Sequence, residues 1–226
     1  MSKKKISLII ATGVLVTALV GGSLAWFTSK EEVTNKFATG SIKHRIIENF
    51  EEVGAAEEFL PGDEVNKDVW IENTGKFDAL LRVRIKPEWK DNENNVLKSE
   101  FIKLIFSEDV DLDISNGIDE RATWVKGNDD YLYYIKIFEA GAPTEKLLDA
   151  VSLSGEADNS YAEKAINVII ESETVQVNKD AYRDEWKISS TSEGENISTP
   201  EEEIINILDN LVEEYKANNS KKHGAE

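Results

Sequence analysis

Ala79-Leu80-Leu81-Arg82-Val83-Arg84-Ile85-Lys86 alternates apolar and polar side chains from Leu81 onward. Successive side chains of an extended chain point to opposite faces, so Leu81, Val83 and Ile85 share one side while Leu80, Arg82, Arg84 and Lys86 share the other. That pattern predicts a strand with one buried face. The same period of two recurs at residues 65–71, 101–106, 131–138 and 166–171. Between these runs lie turn signals: Pro61-Gly62-Asp63, Asn73-Thr74-Gly75, Gly127-Asn128-Asp129-Asp130 and Gly141-Ala142-Pro143. Many short strands, frequent turns and few helical patterns predict an all-β sandwich of jelly-roll type over residues 41–188.

Two stretches toward the C-terminus leave that period. Asn178 to Trp186 has a mixed polar pattern that fits a short helix laying Tyr182 and Trp186 on the sheet. Residues 189–198, rich in Ser, Thr, Gly and Glu, read as a linker. Thr199 then offers an N-cap, Pro200 a first helical position and Glu202 the far end of a capping box. Ile204, Ile207 or Leu208, Leu211 and Tyr215 make one apolar stripe, predicting an amphipathic helix over residues 199–218. Such a stripe suits docking on its own domain or pairing with another subunit.

At the other end, Lys3, Lys4 and Lys5 precede the apolar run from Ile6 to Val20, which Gly21, Gly22 and Ser23 close. The run is shorter than the roughly 20 residues a membrane-spanning helix needs, so residues 1–25 read as an export signal cut between Ala25 and Trp26. The chain carries a net charge of -18 and contains no cysteine. Losing three lysines with the signal makes it more acidic still. A surface of that sign repels phosphate backbones and anionic lipid, which argues against nucleic acid as a partner. Without cysteine, an exported chain is stabilised by its core, by assembly or by another crosslink. Lys30, Lys36 and Lys67 are conceivable donors for an isopeptide bond, with no partner identifiable from sequence.

Gly21-Gly22-Ser23-Leu24-Ala25-Trp26-Phe27-Thr28 followed by Phe37-Ala38-Thr39-Gly40-Ser41-Ile42 resembles the signal and mature start of the TasA and camelysin group of Gram-positive biofilm-matrix fibre proteins. Phe59-Leu60-Pro61-Gly62-Asp63, Trp70-Ile71-Glu72-Asn73-Thr74-Gly75 and residues 78–85 look most like its clostridial branch of matrix pilins, the BsaA family. The likeness runs to about Ile188 and leaves out the C-terminal helix. It implies a secreted jelly-roll subunit that polymerises with itself by donor-strand complementation, residues 26–40 of one copy completing the sheet of the next. It also implies export through a W-type signal peptidase and leaves an accessory fibre subunit open. Trp26 to Phe37 is strand-compatible yet cannot be stable alone, because an isolated strand leaves its backbone groups unpaired and buries nothing. On the donor reading Phe27, Val33 and Phe37 are two-periodic and point into the acceptor. The alternatives are an ordinary first strand on its own domain and, for function, a monomeric secreted adhesin.

Signals for chemistry are weak. A metallo-hydrolase of the usual type needs two histidines at helical spacing and a third ligand, whereas this chain has only His44 and His223 and no His-Glu-x-x-His. Neither a Gly-x-Ser-x-Gly elbow nor a phosphate-binding Gly-rich loop is present. Asp109-Val110-Asp111-Leu112-Asp113 spaces acids like a calcium loop, but Ile114 stands where that loop needs Gly, so the stretch reads as a strand with its aspartates outward. Trp124, Tyr131, Tyr133 and Tyr134 read as core and sheet surface, with a carbohydrate platform as the rival. The expectation is a non-enzymatic structural protein with no catalytic residue, metal or cofactor.

Overall fold

The computed structural model describes residues 28–32, 42–50, 60–90, 96–97, 99–157, 165–188 and 200–223. Eleven strands and two helices are found there. In chain order they are β1 (Thr28–Glu32), β2 (His44–Phe50), β3 (Glu64–Asn73), β4 (Ala79–Lys90), β5 (Val96–Leu97), β6 (Ile102–Phe106), β7 (Val110–Asp111), β8 (Trp124–Lys126), β9 (Leu132–Tyr134), β10 (Leu148–Leu153), β11 (Ala165–Gln176), α1 (Lys179–Trp186) and α2 (Pro200–His223). One sheet has the order β1-β11-β4-β9-β8-β7, with β5 on the end of β4; the second has the order β2-β3-β10-β6. The result is an all-β sandwich with a helical layer on one side.

The 79–86 stretch lies in the middle of the larger sheet, where β4 pairs with β11 over twelve positions from Ala79↔Gln176 to Lys90↔Ala165. Leu81 and Val83 face the second sheet and are fully buried with Val69, Ile71, Trp124, Leu132, Leu148 and Ile170. The opposite face departs from the expectation of a solvated side. Leu80 is completely buried and Arg82 is 6% exposed. They lie under α1 and α2, whose Tyr182, Trp186, Ile204, Leu208 and Val212 form a second core with Val125, Tyr133 and Val175.

The punctuation of the sequence becomes turn chemistry. Gly62 takes φ +97°, a conformation that suits glycine, while the Asp63 carboxylate accepts from the Leu60 amide at 2.8 Å. Asn73 donates its side-chain amide to the Phe77 and Phe138 carbonyls and accepts from the Gly75 amide, which ties the β3–β4 turn to the chain beyond β9. Asn178 caps α1 by accepting from Asp180 and Ala181. In α2 the buried positions are Ile204, Ile205, Leu208 and Val212. The i, i+4, i+8 set therefore runs through Leu208, with Ile207 and Leu211 at its margins.

One local expectation fails, and one rival reading falls with it. Only Val110–Asp111 of the aspartate-rich stretch is strand, and Leu112 is 48% exposed. The aspartates bend the chain instead: Asp111 accepts from the Asp113 and Asp119 amides, and Asp113 accepts from the Ser115 amide. The aromatic platform also disappears, since Trp124, Tyr131, Tyr133 and Tyr134 are all buried at 8% exposure or less.

Candidate assembly edge

One border of the larger sheet is made by β1, a five-residue strand held antiparallel on β11 with Thr28 opposite Val175, Lys30 opposite Glu173 and Glu32 opposite Glu171. β11 is longer than this partner, so among the described residues β1 covers only positions 171–175 of its outer edge. Lys30, one of the lysines considered as an isopeptide donor, lies within β1. Ala25, Trp26, Phe27, Val33, Phe37 and Lys36 lie outside the described residues.

β11 is positioned from both of its faces. Toward the second sheet it presents Ile170, Ser172 and Thr174, all almost fully buried. His44 of β2 reaches across to the two hydroxyls, its Nε2 2.7 Å from Ser172 Oγ and its Nδ1 3.4 Å from Thr174 Oγ1. A neutral imidazole donates from one nitrogen and accepts at the other, so both hydroxyls are served. Burial pushes the His44 pKa down to about 4, against a smaller opposing pull from its hydrogen bond with Ser172. His44 is thus a neutral cross-brace between the sheets, beneath the strand that carries β1.

On the helical side β11 presents Glu173, and here sequence reasoning missed a cluster. Arg82 donates from Nε at 3.1 Å and from Nη2 at 2.8 Å to Glu173, and from Nη1 to Asp129, to Tyr133 Oη and to the Trp186 carbonyl. Its guanidinium lies 3.8 Å from the Tyr131 ring centroid and 5.1 Å from that of Trp186. Burial works against this charge, but Tyr133 and Glu173 outweigh it and raise the Arg82 pKa. Arg84 repeats the motif one step outward, donating to Glu171 at 2.7 Å. The signal was present as alternating Arg-x-Arg on β4 and Glu-x-Glu on β11, which become cross-strand partners only once the register is known.

Lys67 is buried and points into the sandwich, its Nζ 2.6 Å from a Glu48 carboxylate oxygen. Of the two histidines, His44 braces the sheets and His223 is the last residue of α2.

The sequence profile of the camelysin metallo-endopeptidase family matches residues 1–115. The chain belongs to that family. No curated protein and no solved structure matches it. The match covers β1 to β7 and ends before β8 to β11 and the helices. Camelysin and TasA-type proteins are extracellular or associated with the cell surface, and a domain of this family fits a biofilm-matrix protein. Among the described residues no helix is long and apolar enough to cross a membrane.

The family's name implies a catalytic metal. Among the described residues no three His, Cys, Asp or Glu side chains are grouped to hold an ion. Both ring nitrogens of His44 are within hydrogen-bond distance of hydroxyls, and Asp111 and Asp113 already accept from backbone amides. TasA-like members of the family are structural.

Proposed function

We propose that this protein is a secreted structural subunit of extracellular biofilm-matrix fibres, with a jelly-roll domain that polymerises by donor-strand complementation once the signal is removed between Ala25 and Trp26. The support is the conjunction of camelysin-family membership with an N-terminal strand that sits at a sheet border and, among the described residues, pairs with a single neighbour. A border strand is held by one ladder of hydrogen bonds, so it is the strand a second copy can exchange without dismantling a core. Phe27, Val33 and Phe37 are the anchors, each Phe or Val adding roughly 1.5 to 3 kcal/mol when it fills an acceptor pocket. The partners are further copies of the same chain and, during export, a W-type signal peptidase; an accessory subunit would nucleate or anchor the fibre.

Deleting Trp26 to Phe37 from the exported protein and inspecting it by electron microscopy tests this directly. Loss of filaments is expected. Polymer of unchanged length and yield rejects the reading, and an intact exported chain that stays monomeric favours an adhesin.

A further inference from the structure

We infer that the acceptor surface for the strand of a second copy is the outer edge of β11 at Glu171–Val175, and that β1 of the same chain competes for it. The inference rests on the fibre reading above and assigns the surface that reading leaves open. Its first support is the occupant itself: β1 is seated there in a continuous five-position antiparallel register, Thr28↔Val175 to Glu32↔Glu171. A ladder of backbone hydrogen bonds does not distinguish a strand of the same chain from an identical strand of another, so the edge accepts a second copy in the same register.

The second support is how β11 is braced. Its inward hydroxyls are held by His44, its outward Glu173 by Arg82, and its far side by the twelve positions of β4. None of these contacts involves β1. The edge therefore keeps its shape whichever copy supplies the five-position ladder, as an acceptor must.

The third support is the length of chain that joins β1 to β2. Glu31 lies opposite Ser172, and His44 of the facing sheet lies against the Ser172 side chain, so the two ends of the connection face each other across the sandwich. Packed sheets stand about 10 Å apart, a span that roughly three to five extended residues cover. Eleven residues, 33–43, stand between the two strands. At roughly 3.3–3.6 Å per residue such a length reaches well beyond its own sheet border. The same-chain strand is present at an effective concentration on the order of millimolar, which a second copy has to exceed or outbind. Pairing within one chain thus holds dilute protein as a monomer, and crowding at the cell surface shifts the exchange toward polymer.

The chain has no cysteine, so two introduced thiols are unique. The exported protein carrying Glu32→Cys and Glu171→Cys is joined by a short bis-maleimide while dilute, then concentrated and examined beside its unjoined form. We expect filaments from the unjoined protein and at least a tenfold lower yield from the joined one. Mixing the Glu32→Cys and Glu171→Cys single variants under assembly conditions is expected to give an interchain product linking those two positions. Filaments from the joined protein, or from the mixture without that product, overturn the β11 assignment while leaving polymerisation intact. Absence of filaments from the unjoined and wild-type proteins alike overturns the fibre reading and this inference with it.

Discussion

At the scale of single residues, His44 and Arg82 make different wagers on burial. The His44 pKa is lowered to about 4 from an ordinary 6.5, so the unfolded chain takes up a proton first as pH falls. The stability His44 contributes is complete above about pH 6.5, declines as pH drops toward 4 and is gone below it, a loss of roughly 3 kcal/mol. Urea denaturation between pH 7 and 5, where few carboxylates titrate, is expected to show this slope in the wild type and a flatter one in His44→Gln. Equal slopes would remove His44 as the cause. Arg82 keeps its charge because Glu173, Asp129 and two aromatic rings surround it. Arg82→Met removes the two guanidinium hydrogen bonds to the buried Glu173 and is expected to cost about 3–5 kcal/mol, whereas Arg82→Met with Glu173→Leu is expected to recover most of that. A double variant as unstable as the single one would show that the network contributes more than charge pairing.

Among the elements, the β8–β9 hairpin and α2 depend on each other at Gly127. A Cβ built there would stand 2.8 Å from the Tyr133 ring and 2.7 Å from the Asp129 carboxylate, with Ile204 of α2 at 3.4 Å. Tyr133 is held by Arg82 and cannot yield, so Gly127→Ala is expected to destabilise the protein by about 1–3 kcal/mol, read as a lower denaturation midpoint. The aspartate loop before β8 carries the opposite expectation. The Asp111 and Asp113 carboxylates are engaged by amides, so millimolar calcium is expected to leave the melting temperature unchanged; a rise of several degrees would reveal a site. These elements also mark what could be read from the chain. β4 was legible because Leu81, Val83 and Ile85 obey the strand period whichever layer covers them. The 109–113 stretch was misread because an aspartate that caps a turn and one that faces water alternate alike. The hidden side of the larger sheet was illegible for a related reason. Arg82 and Glu173 look solvent-facing until α1 and α2 are laid over them. Of the assembly edge, the N-terminal strand could be anticipated, but Ser172 and Thr174 gave no notice of His44, since a hydroxyl pair on a strand specifies no partner 128 residues away.

For the whole molecule, charge and strand order set the terms. A chain of net charge -18 repels its own copies, and salt screens that repulsion over about 10 Å at 0.1 M. On the fibre reading proposed above, filament growth is therefore expected to quicken between 10 mM and 150 mM salt, followed by light scattering; growth that slows would point to attractive ion pairs between subunits. The pairing of β4 with β11 has a further consequence, in biosynthesis. Ala79 must wait for Gln176 and Lys90 for Ala165, so a nascent polypeptide halted before β11 leaves β4, at the centre of its larger sheet, without the longer of its ladders. High contact order makes such a topology slow to settle. On the export proposed above, the polypeptide stays threadable through a narrow channel until its last described strand has emerged.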